Sequence, residues 1–154
     1  DVYKRQAFAR CIPPEAQLTV LTSAMNVAMA LLNCQQVEVI QLGGIVRHTS
    51  SSVTGEYALR MLENFSGTKL FLGVDGIDLK YGLTTTNFME ASVNRAMIDA
   101  AQKIIVLTDS SKFGRLWFGK ICELDAVDQI ITDSGVSPKV VRELEELGIK
   151  VSIV

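Results

Sequence analysis

Apolar residues recur along this chain in two kinds of short block, and their alternation predicts the architecture. Leu18-Thr19-Val20-Leu21-Thr22, Val37 to Leu42, Lys69 to Val74, Ile104 to Thr108 and Gln129 to Thr132 are brief runs rich in β-branched and aliphatic side chains, and they read as strands. Ile104-Ile105-Val106-Leu107 has no polar interruption, as suits a strand covered on both faces. Elsewhere the apolar positions fall three and four apart, the spacing of one helix face. Ala24, Val27, Ala28, Leu31 and Leu32 form one such face, with Ser23 as its predicted N-cap. Tyr57, Ala58, Met61 and Leu62 form another, over about 56–65, and Ala91, Val93, Ala96, Met97 and Ala100 a third. The third opens on Asn87 with Glu90 three residues on, a capping-box spacing. Ser137-Pro138 starts a last helix that reaches Leu147 before Gly148, and Ile149 to Val154 closes as a strand. At the other end, Ala7 to Ile12 reads as the final turns of a helix stopped by Pro13-Pro14. Arg47 to Ser52 and Asp75 to Asn87 show no apolar period and are predicted loops.

Strand and helix alternating with short connections implies an α/β fold: a mainly parallel sheet, right-handed crossovers and helices on both faces. The five strands named first are expected to share one sheet. In such sheets ligands gather at the carboxyl ends of the strands. No repeat, low-complexity linker or internal domain boundary is evident.

With 154 residues and 48% hydrophobic side chains, the chain is long and apolar enough for one core of ordinary size. Its formal charge of −2, with scattered cations, lacks the basic face by which a nucleic-acid binder neutralises phosphates. One or two cations could still hold a small anion. Cys11, Cys34 and Cys122 are far apart and form no CxxC pair, and His48 is the single histidine, so neither a disulfide framework, a zinc site nor any cofactor is expected. No apolar run approaches a membrane span and no start resembles a signal peptide, which predicts a cytoplasmic protein.

Three polar clusters follow predicted strand ends: Gly43-Gly44-Ile45-Val46-Arg47, Gly73-Val74-Asp75-Gly76-Ile77-Asp78 and Thr108-Asp109-Ser110-Ser111-Lys112-Phe113-Gly114. Parallel strands would set all three on one rim. Glycines let the backbone approach a ligand, Arg47 could meet a phosphate with two N–H donors, and Lys112 supplies a compact positive charge, a combination suited to a phosphorylated polyol. Each piece also has a plainer reading: Gly43-Gly44 as a turn, Asp75 as an Asx-turn, Asp109 as a cap and Lys112 as a solvated side chain.

Those clusters, with Glu90-Ala91-Ser92-Val93-Asn94-Arg95-Ala96-Met97 and the later Ile131-Thr132-Asp133, closely resemble in order and spacing the sensor domain of the DeoR family of transcriptional regulators, from about Ala7 to Val154. The resemblance implies a fold shared with ribose-5-phosphate isomerase and CoA-transferase-like proteins. It also implies a sensor that binds a phosphorylated sugar or polyol, and operator DNA held by a winged helix-turn-helix preceding this domain in a homo-oligomeric repressor. Carried over residue by residue, it assigns Gly43, Gly44 and Arg47 to one effector loop, Asp75 and Gly76 to a second, Glu90 to a helix start and Lys112 to a third loop, with Lys112 on the effector phosphate.

Two departures qualify that picture. Where the family carries an Asp-x-Gly-Thr-Thr strand and phosphate loop, residues 1–6 match nothing, so an unmatched leader followed by a sensing domain truncated at its N-terminus is expected. The isomerases of this fold carry a Gly-Ala-Asp-Glu-Ile-Asp motif. Here Gly76 replaces the glutamate, and Lys80 and Gly82 are not adjacent, which leaves a general acid in doubt. Binding without turnover is therefore preferred to a sugar-phosphate isomerase-like enzyme, and both to an interaction domain without a ligand.

Overall fold

The computed structural model describes residues 2–154, and the chain divides between Asn64 and Phe65 into two compact units. In the first, helix α1 (Val2–Arg10) precedes strand β1 (Leu18–Thr22), helix α2 (Met25–Leu31) and strand β2 (Val37–Gln41). β1 and β2 pair in parallel from Leu18↔Val37 to Thr22↔Gln41. Ala9 of α1, Ala24, Val27 and Leu31 at α2, and Val37 of β2 form the unit's buried cluster. An antiparallel hairpin follows, β3 (Ile45–Arg47) with β4 (Ser52–Thr54), and then helix α3 (Glu56–Leu62).

The second unit is built on four parallel strands: β5 (Leu70–Gly73), β8 (Ile104–Leu107), β10 (Gln129–Thr132) and β11 (Lys150–Ile153), adjacent in that order. Between β5 and β8 the chain makes strands β6 (Gly76–Asp78) and β7 (Gly82–Thr85), then helix α4 (Phe88–Asp99). Between β8 and β10 it makes strand β9 (Gly119–Cys122), which joins β6 and β7 in a second, antiparallel sheet. Helix α5 (Pro138–Glu146) leads into β11. Leu72, Val106 and Ile130 from the parallel sheet pack with Leu83, Ile121, Ala91 and Leu144 in one buried cluster. Each large aliphatic side chain so covered contributes roughly 1.5–3 kcal/mol against the entropy of ordering the chain.

Several local signals work as read. Asn87 Oδ1 accepts the Glu90 amide at 3.1 Å and opens α4, while Ser137 Oγ accepts the Lys139 amide and opens α5. Gly148, at φ +84°, follows the C-cap of α5 in a conformation that disfavours a side chain.

Other expectations are corrected. The five strands do not form one sheet: among the described residues ladder hydrogen bonds join β1 to β2, and β5, β8 and β10 in a separate ladder. An apolar run reports that a strand is covered, not which strand its backbone groups meet. Only His48 to Ser51 is the turn of a hairpin within the predicted 47–52 loop, and 75–87 contains β6 and β7. Ser23 does not cap α2. Its carbonyl accepts the Val53 amide, the Met25 amide goes to the Ser51 carbonyl, and Ala24 takes the cap position without a side-chain bond. The first helix begins by Val2, ahead of the predicted Ala7, and Asp1 of the expected leader lies outside the described residues.

Candidate functional site

In the first unit, Gly43 and Gly44 follow β2 and lead into the hairpin. Gly44 has φ +150°, and a Cβ there would lie 2.4 Å from the Thr54 carbonyl oxygen, so the close approach of β4 demands glycine. Gly43 is under no such demand; its Cβ would find only Met61 Sδ, at 3.8 Å. Arg47 ends β3 half-buried, with Nη2 donating to Thr49 Oγ1 at 3.2 Å. Gly43, Gly44 and Arg47 thus belong to one local turn-and-hairpin structure.

In the second unit, strand direction sets the site. β5, β8 and β10 are parallel, so the residues just past them, Asp75, Asp109 and Asp133, lie on the carboxyl rim of one sheet. Asp75 Oδ2 accepts the Thr85 hydroxyl at 2.7 Å and the Thr86 amide at 3.2 Å, which ties the end of β7 to the end of β5. Burial pushes its carboxyl group up. The Thr85 and Thr86 hydrogen bonds and the positive charge of Lys112 outweigh that and hold it below the ordinary aspartate value.

Gly76 is shaped by crowding rather than by φ. A Cβ there would lie 2.4 Å from the Arg115 carbonyl oxygen and 2.6 Å from Thr84 Oγ1. No side chain fits, so the position at which the isomerase motif carries glutamate is closed to a general acid here.

Lys112 ends the 3-10 turn Ser110–Lys112, which two aspartates build. Asp109 Oδ1 accepts the Ser111 amide at 3.0 Å, and Asp133 accepts the Ser110 amide at 2.7 Å and the Gly135 amide at 2.8 Å. Donation from Ser110, backbone and side chain, holds the Asp133 carboxyl low. Just beyond the turn, the Gly114 amide donates to the Ile77 carbonyl at 2.8 Å, and Phe113 bridges to Ile77. The loop that carries Lys112 is therefore bonded to the strand beginning at Gly76. Lys112 is half-buried, and among the described residues no carboxylate forms an ion pair with it. Glu90 stands in the first turn of α4, three residues past Asn87, in the segment that follows Asp75's partners Thr85 and Thr86.

Asp75, Gly76 and Lys112 are thus brought together within the second unit, while Gly43, Gly44 and Arg47 sit in the first. The sequence reading missed Thr85 and Thr86 as partners of Asp75, and it missed Trp117. The Trp117 amide donates to Thr84 Oγ1 at 3.1 Å and its indole Nε1 to the Asp75 carbonyl at 3.0 Å. The Thr84-Thr85-Thr86 run was the available signal for the first two; nothing local marks the tryptophan, 42 residues from Asp75. Among the described residues no group of three or more His, Cys, Asp or Glu is placed to hold a metal ion.

Comparison with known proteins decides the family. The model of the DeoR C terminal sensor domain matches residues 5–134, across both units. The chain belongs to the DeoR family. Over 146 residues it is 41% identical to the protein of Escherichia coli O157:H7 named "Putative aga operon transcriptional repressor", covering 95% of this chain and 54% of that one. It is 38% identical over 143 residues to the Bacillus subtilis "Uncharacterized HTH-type transcriptional regulator YulB", covering 93% and 55%. It is 26% identical over 148 residues to the "Glycerol-3-phosphate regulon repressor" of Escherichia coli K12, covering 96% and 59%. The chain spans about half the length of these curated relatives. A DeoR sensor domain is a sensing rather than a catalytic domain, and the isomerase-like alternative is set aside. No helix among the described residues is long and apolar enough to cross a membrane.

Proposed function

We propose that this chain is the effector-binding part of a DeoR-type transcriptional repressor of sugar or polyol metabolism, and that it takes a phosphorylated sugar or related metabolite without turnover. The observation that carries the reading is that, past the strand ends of one sheet in a DeoR sensor domain, an aspartate whose carboxyl group is held low lies within the influence of the positive charge of a half-buried lysine. A cation suits the phosphate, and a fixed carboxylate accepts hydrogen bonds from sugar hydroxyls. In this reading Lys112 meets the phosphate, Asp75, Gly76 and Glu90 shape the sugar end, and Gly43, Gly44 and Arg47 form a further effector loop. Operator DNA is bound by a helix-turn-helix outside this chain, in a cytoplasmic homo-oligomer. Two relatives are named as repressors, one of the aga operon and one of the glycerol-3-phosphate regulon, and the second name, that of a polyol phosphate, supports the reading.

The test is a thermal-shift screen of sugar and polyol phosphates on the intact regulator, run beside an aldose–ketose interconversion assay. Stabilisation without turnover is expected. Lys112→Ala should weaken a binding phosphate by roughly tenfold or more, the loss of one charge-assisted hydrogen bond of about 1.5–3 kcal/mol, and should leave the fold intact. Unchanged affinity in that variant, or turnover by the wild type, would overturn the reading.

A further inference from the structure

Trp117 is the chain's one tryptophan, and it lies in a segment that the effector reading leaves unused. The segment is firmly held. The Arg115 carbonyl packs where a side chain at Gly76 would go, the Trp117 amide donates to Thr84 Oγ1, and the indole N–H donates to the Asp75 carbonyl. Its amide and its indole N–H are therefore both satisfied, by β7 and by the link between β5 and β6. Yet 42% of its surface stays open to solvent, a large apolar area for a residue so well anchored. An indole fixed by its N–H on the backbone carbonyl of Asp75, with ring surface free, matches the way binding sites set an aromatic wall beside a few polar groups.

We infer that the exposed indole of Trp117 is the apolar wall of the effector site, packing against the C–H face of a ring-form sugar phosphate and selecting it over acyclic phosphates. This rests on the proposed effector site at Asp75 and Lys112. A pyranose presents hydroxyls at its edge and C–H groups on its faces, so one ligand can satisfy the carboxylate, the lysine and the ring surface together. An acyclic triol phosphate or inorganic phosphate offers no such face. Gly76 serves the same arrangement: its missing side chain lets the Arg115–Trp117 backbone lie against β6 and β7.

The experiment is a titration of the 154-residue chain with glucose 6-phosphate, glycerol 3-phosphate and inorganic phosphate, read by Trp117 emission and by calorimetry. The wild type and the Trp117→Ala, Trp117→Phe and Lys112→Ala variants are compared. The expected result is a saturable emission change with glucose 6-phosphate. Trp117→Ala should lose about tenfold in glucose 6-phosphate affinity with little change for the two acyclic probes, and Trp117→Phe should recover most of the loss. If Lys112→Ala weakens all three probes but Trp117→Ala leaves their ratios unchanged, the wall is refuted and the phosphate site stands. If no probe binds the wild type, both readings fall. An emission change that follows protein concentration instead of ligand, with matching self-association by sedimentation, would assign the ring to a contact between copies and overturn the inference.

Discussion

Replacing Gly76 with alanine tests whether crowding, rather than backbone conformation, demands glycine beside Asp75. The new methyl carbon would stand 2.4 Å from the Arg115 carbonyl oxygen, 2.6 Å from Thr84 Oγ1 and 3.0 Å from the Arg115 carbonyl carbon. Ordinary contacts are roughly 3.5 Å, so the Arg115 carbonyl must retreat by about 1 Å. Two of these three atoms are backbone, and the third accepts the Trp117 amide, so no flexible side chain can absorb the shift. Overpacking of this kind costs typically 1–3 kcal/mol, while glycine to alanine recovers about 0.4–1 kcal/mol from the unfolded chain. The net loss expected is about 1–2 kcal/mol. At a urea slope of about 1–3 kcal/mol/M, the midpoint should fall by roughly 0.3–2 M. Emission from the lone tryptophan reports this unit directly, since Trp117 is bonded to the Asp75 carbonyl. Gly67→Ala is the control in the same unit: its Cβ would find nothing nearer than the Ala100 carbonyl oxygen at 3.9 Å, and it should be neutral or slightly stabilising. Equal midpoints for Gly76→Ala and Gly67→Ala would refute the reasoning.

Asp75 also sets an acid dependence. Its folded pKa lies below the usual 3.8, so its contribution to stability is complete at neutral pH and is lost as pH falls below that value through the lower folded one. Asp75→Asn should flatten this part of the acid limb in urea midpoints measured between pH 6 and 3; an unchanged limb would show that Asp75 gains nothing on folding. The cysteines should separate by reactivity. Burial, with Asp125 and Glu123 nearby, pushes the Cys122 thiol up to about 11, whereas Cys11 is exposed, so iodoacetamide at pH 8 should label Cys11 first by mass spectrometry. Equal labelling would contradict the burial of Cys122. With a formal charge of −2, the chain alone should show no salt-dependent retardation of duplex DNA at micromolar concentration, and a salt-sensitive shift would contradict that expectation.

What could be read from the chain is what neighbouring residues decide among themselves. The apolar runs at β5, β8 and β10 needed only their own side chains to declare a covered strand. The openings of α4 and α5 lay in Asn87 and Ser137, whose side chains reach amides two or three residues on. The clusters around Gly43, Asp75 and Lys112 could be picked out because a strand end followed by glycine and charge is a local pattern. Tertiary structure decided the rest, for a common reason: the deciding partner is far along the chain. Ser23 looks like a cap, but the 51–53 segment takes the backbone groups that a cap would serve. β6, β7 and β9 are short and hold Gly76, Gly82 and Gly119, so no propensity announces them; cross-strand pairing and burial make them strands. Division of the parallel strands between two sheets is likewise a choice of hydrogen-bond partners, which no single run encodes. Gly76 is the sharpest case, because a glycine in sequence suggests a turn, while its actual constraint is the carbonyl of Arg115, brought against it by a loop 39 residues away by number.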